Sequence, residues 1–81
     1  MRIDKFLKNS RIIKRRTVAK EACEQGRVLV NNKEAKPGTD VNVGDIIEIN
    51  FGNRNVTIEV LEILEHVPKD KAQDLYRVIK N

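Results

Sequence analysis

The sequence has few of the residues and runs on which several protein classes depend. One of its 81 residues is cysteine, none is tryptophan, and aromatic residues make up 4% of the chain. A single cysteine excludes an internal disulfide and a cysteine-based zinc site. No apolar run exceeds three residues, which excludes a transmembrane helix and a secretory h-region. We therefore expect a soluble cytoplasmic protein with one modest core and no membrane partner.

Side chains that carry catalysis are equally scarce. The single histidine, His66, lies beside Pro68 in an expected loop, and Cys23 lies on the apolar side of an expected helix. Asp4 and Asp45 stand where a cap or turn carboxylate is expected. The sequence has no glycine-rich phosphate loop and no spacing typical of a metal site. We predict a protein that is not an enzyme and that holds neither a metal nor another cofactor.

Basic residues are concentrated in the first half of the chain. The net charge is +7 over residues 1–36 and −3 over residues 37–81. Eight of the first twenty residues are basic and one, Asp4, is acidic. A helix that faces only water usually alternates its charges to form i,i+4 pairs. The segregation therefore predicts one face that binds a polyanion.

Two helices are predicted in the first third of the chain. The first begins near Asp4, which we expect to cap it, and the second covers about residues 15–25. Gly26 follows as a residue able to adopt a left-handed conformation. The apolar stripe of the first helix is expected to comprise Ile3, Phe6, Leu7, Ser10 and Ile13. The buried side of the second is expected to comprise Val18, Ala19, Ala22 and Cys23.

After Gly26 the periodicity changes to that of strands. A hairpin is predicted around Asn31-Asn32, and two longer strands are predicted over residues 46–51 and 56–63. The recurrence of Ala72, Leu75, Tyr76 and Ile79 favours a C-terminal helix over a last strand. The predicted fold class is α+β: two helices, a small antiparallel sheet and a short C-terminal helix.

RNA is a better candidate for the polyanion than DNA. No helix presents base-reading side chains beside a dimer seam, as a helix-turn-helix protein does. Phe51 is expected on an apolar stripe and Tyr76 on the last helix, so we do not expect a stacking platform for single strands. Arg16 and Lys20 are expected to share a solvent-exposed face, where the charge of Arg16 contributes little to stability.

The first half of the chain resembles the S-four RNA-binding domain family. The resemblance is carried by RIDKFL at 2–7, SR at 10–11, RRTVAK at 15–20 and QGRVLVN at 25–31. It implies a two-helix αL motif and a hairpin over residues 1–51, with residues 52–81 as a sheet extension and C-terminal helix of the same single domain. Asn32 departs from the family, which usually has glycine there.

The strongest resemblance is to small ribosome quality-control members of that family. It implies binding to large ribosomal subunits obstructed by peptidyl-tRNA, through ribosomal RNA and the tRNA, and support of an alanine-tailing factor of the RqcH type. It also implies that Asp4 organises the helix start and a nearby arginine. From the resemblance and the charge pattern together, the expected RNA-binding residues are Arg2, Lys5, Lys8, Arg11, Lys14, Arg15, Arg16 and Lys20.

Two alternatives stay open on the sequence alone. The chain could be the detached RNA-binding subunit of a two-chain RNA-modifying enzyme, or a DNA-binding regulator. In the favoured interpretation it is a monomeric adaptor in protein biosynthesis without chemistry of its own.

Overall fold

The computed structural model describes residues 1–80 and confirms the α+β fold class. The elements in chain order are α1 (Ile3–Asn9), α2 (Arg16–Glu24), β1 (Val28–Val30), β2 (Lys33–Glu34), β3 (Ile46–Asn50), β4 (Asn55–Val60), a 3-10 helix (Lys69–Leu75) and β5 (Tyr76–Lys80). The strands form one antiparallel sheet in the order β2-β1-β3-β4-β5.

The core lies between α1 and one face of the sheet. Ile3, Phe6 and Leu7 of α1 are fully buried, as the predicted stripe requires. In the sheet, Ile47 and Ile58 are register partners and both are fully buried. Burial alternates along β4, which is the pattern of a strand with one face against the core. The sheet thus packs against one side of α1, and Lys8, Arg16 and Lys20 stay exposed.

Local turn chemistry follows the sequence closely. Gly26 has a φ of 74° and ends α2, since the amide of Arg27 donates to the carbonyl of Ala22. Asn31 and Asn32 have φ values of 51° and 68°, so both adopt the left-handed conformation that a two-residue hairpin needs. The predicted hairpin is therefore confirmed, and the departure at Asn32 leaves it intact.

The prediction of a C-terminal helix over a last strand is wrong for residues 76–80. The helix covers Lys69–Leu75, and the chain then continues as β5, antiparallel to β4. Ala72 and Leu75 are buried at a spacing of three, which suits a 3-10 helix as well as an α-helix. The β-branched pair Val78-Ile79 favours a strand once the edge of β4 offers hydrogen-bond partners.

Two smaller predictions also differ from the structure. Val18 was expected to be buried but is 46% exposed, because α2 packs through Ala19 and Cys23. The fourth strand ends at Val60 rather than at residue 63. The amides of Leu61 and Glu62 donate instead to the carbonyl of Leu75, 2.8 and 3.2 Å away. The chain therefore leaves the sheet to meet the 3-10 helix.

The start of α1 also differs in detail. Its N-cap residue is Arg2, and Asp4 lies inside the first turn rather than at the cap. The Asp4 carboxylate still accepts a first-turn amide, that of Lys5, at 2.8 Å. The prediction that the Asp4 carboxylate accepts a first-turn amide is confirmed. The prediction that Asp4 is the N-cap residue is wrong by two residues.

Candidate nucleic-acid interface

A buried carboxylate connects the starts of the two helices. Asp4 is 2% exposed and accepts hydrogen bonds from the Arg2 Nε and Nη2 atoms at 3.2 and 3.3 Å. The Nη2 atom of Arg16, the first residue of α2, lies 3.5 Å from the Asp4 Oδ1 atom. Two arginines that are distant in sequence are therefore oriented by one anion.

The electrostatics keep this carboxylate ionised. Burial alone would raise the pKa of Asp4, because it disfavours the charged form. The hydrogen bond from Arg2, the positive charges of Arg16 and Arg2 and the amide of Lys5 outweigh burial and lower the pKa below its ordinary value. Asp4 thus remains an anion at neutral pH, and its two arginines together leave one net positive charge.

Both guanidinium groups keep a solvent-facing side. The side chains of Arg2 and Arg16 are 54% and 48% exposed, and a guanidinium carries five N–H donors. With Asp4, Thr17 and Lys20 they line a shallow hollow of about 310 Å³, here called the arginine cleft. The expectation that Arg16 and Lys20 share a face is confirmed. The Nη2 atom of Arg16 also pairs with Asp4, and the expectation that the charge of Arg16 contributes little to stability stays a prediction.

A second basic hollow lies at the other end of α1. Lys8, Arg11 and Lys14 line a space of about 470 Å³ together with His66 and its neighbours, here called the lysine hollow. The Asn9 amide donates to the carbonyls of residues 64 and 65 at 3.3 and 3.4 Å, which holds this loop against α1. No motif or spacing in the sequence indicates that His66 adjoins these three basic residues.

The remaining expected RNA-binding residues stand apart from these hollows. Lys5 forms an ion pair with Glu65, so its charge is already compensated. Arg15 is the N-cap residue of α2 and is exposed. Of the eight expected residues, the structure brings Arg2, Arg16 and Lys20 together in one hollow and Lys8, Arg11 and Lys14 in another.

One aromatic residue, Tyr76, does not lie where it was expected. Tyr76 begins β5 instead of belonging to a helix, and it lines a groove together with Phe51 and two arginines. The argument against aromatic stacking was therefore wrong in placing Tyr76 on a helix. Neither periodicity nor spacing indicates that Phe51 and Tyr76 line one groove, because this depends on how the strands pair.

Cys23 has the environment of a core residue. It is 2% exposed, and burial raises the pKa of its thiol to about 11, with smaller contributions from Asp4 and Glu24. The thiol form therefore dominates at neutral pH, and the thiolate is the reactive form. Among residues 1–80, no group of three or more His, Cys, Asp or Glu side chains is placed to hold a metal ion. No helix in the same part of the chain is long and apolar enough to cross a bilayer.

Comparison with known proteins gives consistent matches. The S4 domain family matches residues 1–47. A Halalkalibacterium halodurans protein named RQC P-site tRNA stabilizing factor is 56% identical over 80 residues, covering 99% of this chain and 91% of its own length. A Listeria monocytogenes protein of the same name is 51% identical over 80 residues, covering 99% and 87%. The trimeric structure of Vibrio cholerae Heat Shock Protein 15 has a TM-score of 0.89 at 34% identity, covering 96% of this chain and 80% of that one.

Proposed function

The chain belongs to the S4 domain family, and we propose that it is an RNA-binding factor of ribosome quality control that stabilises P-site tRNA. The observation that carries the proposal is the 56% identity, over 99% of the chain, to a relative named for that activity. The names of the relatives support the role in ribosome quality control itself. The residues and partners through which the chain performs it are our proposal.

In this proposal the arginine cleft and the lysine hollow hold RNA phosphates. Arg2 and Arg16 are oriented by Asp4 with donors to spare, and a guanidinium pairs with phosphate in a bidentate manner. Lys20 adds a further positive charge to the same cleft. Because orientation is already provided in the free protein, less conformational freedom is lost when RNA binds.

The lysine hollow supplies a second contact with the RNA backbone. Lys8, Arg11 and Lys14 are all exposed there and are supported by the loop that Asn9 anchors. Lys5 and Arg15 add to the long-range attraction, and Lys5 contacts RNA only after it releases Glu65. Two separate basic hollows suit a protein that holds ribosomal RNA with one surface and a tRNA with the other.

The partners we propose are large-subunit ribosomal RNA, peptidyl-tRNA and an alanine-tailing factor of the RqcH type. The test uses purified large subunits with and without peptidyl-tRNA, sedimented with the full chain. We expect tighter binding when peptidyl-tRNA is present, and more alanines added by the tailing factor when the protein is supplied. Equal binding to large subunits with and without peptidyl-tRNA would contradict the proposed tRNA role. A stable complex with an RNA-modifying enzyme, without ribosome binding, would favour the enzyme-subunit alternative.

We further propose that the protein acts in the cytoplasm as a monomer. The related Vibrio cholerae protein is described as trimeric in its solved structure. Sedimentation equilibrium across a range of concentrations distinguishes the two states. A mass of one chain supports the proposal, and a mass of three chains would contradict it.

A further inference from the structure

Two aromatic rings and two arginines line a groove beside the last strand. Phe51 follows β3 and Tyr76 begins β5, and both side chains are half-buried. They line a groove of about 270 Å³ with Arg11 and Arg54. The guanidinium carbon of Arg54 lies 5.6 Å from the centre of the Phe51 ring, which is cation–π geometry. Val78, which is 48% exposed, extends the apolar surface of the groove.

The charge of the groove has one sign. Among residues 1–80, the charged side chains that line it are Arg11 and Arg54, both cationic. A neighbouring hollow of about 620 Å³ shares Arg11 and Tyr76 and adds Lys69 and Asp70. The groove itself therefore favours an anionic ligand that also carries a flat apolar surface.

Arg11 connects this groove to the lysine hollow. It lines both, and its backbone has a φ of 61°, a left-handed conformation that is uncommon for a residue other than glycine. Its amide donates to the carbonyl of Lys8 at 3.0 Å, so the turn after α1 is closed by a hydrogen bond. A ligand that places a phosphate beside Lys8 and Lys14 would reach the aromatic groove with its next group.

We propose that the groove binds the base of one unpaired RNA nucleotide whose phosphate lies in the lysine hollow. The base stacks on Tyr76 or on the Phe51–Arg54 pair, since every base offers a π-face to aromatic rings and guanidinium planes. This inference rests on the proposed function, because its ligand is RNA. It adds a preference for RNA with an exposed base over a continuous duplex, whose bases are stacked within the helix.

A nucleotide fits the groove better than a peptide does. A peptide would need apolar side chains for Ile12 and Val78 and a carboxylate for each arginine. One nucleotide carries a flat base next to a negatively charged phosphate. The aromatic groove and the lysine hollow adjoin in the same way, so the base and the phosphate can occupy them together.

The test compares two RNA hairpins that differ by one bulged adenosine. Wild-type protein is expected to bind the bulged hairpin more tightly by roughly 5- to 150-fold, the range that stacking of one base provides. Either Arg54→Gln, in an exposed turn, or Tyr76→Leu, which keeps an apolar side chain, should lose most of this preference, and the variant that does so identifies the surface on which the base stacks. The matched control is Arg77→Gln, an exposed arginine that follows Tyr76 and points to the opposite sheet face. The control should keep the preference.

Tyrosine emission gives a second measurement. The chain has one tyrosine and no tryptophan, so the emission reports Tyr76 alone. We expect the bulged hairpin to quench it more than the paired hairpin does, and this reading needs no variant.

Four outcomes overturn the inference. Equal wild-type affinity for the two hairpins would do so while leaving the proposed function intact. The same holds if both Arg54→Gln and Tyr76→Leu keep the preference, or if these variants bind all RNA normally but fail to bind a protein partner. No binding to either hairpin would overturn the proposed function together with the inference. If Tyr76→Leu does not fold, Arg54→Gln and the emission of the wild-type protein decide the question.

Discussion

Replacing Asp4 with asparagine removes the anion that orients the two arginines. In the wild-type protein this carboxylate accepts two hydrogen bonds from Arg2 and one each from Arg16 and the Lys5 amide. Asparagine keeps one acceptor for the amide but no charge. A hydrogen bond to a charged group contributes about 1.5–3 kcal/mol. Because both guanidinium groups are half exposed and regain water, we expect a total loss near the lower end, about 2 kcal/mol.

That loss is large for a domain of this size. At roughly 4–8 °C per kcal/mol, the melting temperature should fall by about 8–16 °C. Thermal unfolding followed by circular dichroism measures it. The matched control is Asp40→Asn, because Asp40 is an exposed carboxylate that pairs with the N-terminal amine at 2.9 Å. An exposed pair of this kind contributes roughly 0–1 kcal/mol, so the control should melt within a few degrees of wild type.

The acid response gives an independent check on the same residue. Because the pKa of Asp4 is lowered in the folded protein, the unfolded chain binds its proton first as pH falls. The stabilising contribution is therefore complete at neutral pH and is lost progressively below about pH 4. Asp4→Asn should unfold less steeply with acid than wild type does. If Asp4→Asn has the same melting temperature as Asp40→Asn and loses stability with falling pH as steeply as wild type, the buried carboxylate does not organise this site.

Three further predictions concern the core, a turn and the ligand. Cys23→Ala should keep wild-type RNA affinity and lower the free energy of unfolding by about 1 kcal/mol. Alkylating reagents should modify Cys23 of the folded wild-type protein slowly, and fast labelling would contradict its burial. Gly26→Ala should lower the free energy of unfolding by about 1–2 kcal/mol, because its φ of 74° disfavours a Cβ atom; unchanged urea unfolding would be the contrary result. Affinity for ribosomal RNA fragments should fall with salt at a log–log slope of roughly −3.5 to −4.5 if about five phosphates are neutralised, and a flat titration would exclude phosphate contacts.

The parts of the fold that were predictable are those determined by neighbouring residues. Gly26 and Asn31-Asn32 adopt left-handed backbones because their residue types tolerate them, and this can be inferred from the sequence. The buried stripe of α1 follows from helical spacing. The basic residues proposed to bind RNA could also be named in this way, since all eight lie within the first twenty residues.

The parts that were not predictable depend on contacts between distant residues. Lys5 and Glu65 are 60 positions apart, so nothing local indicated that the charge of Lys5 is compensated. The segment after Leu75 has a helical pattern of apolar residues, yet it forms β5 because β4 has an edge to pair with. The aromatic groove depends on that same pairing, which places Tyr76 along β4 in a groove that Phe51 also lines. The register of the sheet, rather than any sequence motif, determines the aromatic groove.

The most direct test of the central claim is binding of a double charge-reversal variant to purified large ribosomal subunits. Lys14→Glu with Lys20→Glu changes one residue in each basic hollow, and within residues 1–80 neither lysine forms an ion pair. We expect wild-type melting, affinity lower by at least about tenfold, and a salt slope reduced by roughly 1.5 through the loss of two phosphate contacts. Lys80→Glu, at the end of β5, is the matched control and should bind like wild type. If the folded double variant sediments with the subunits as the control does, α1 and α2 do not form the RNA-binding surface.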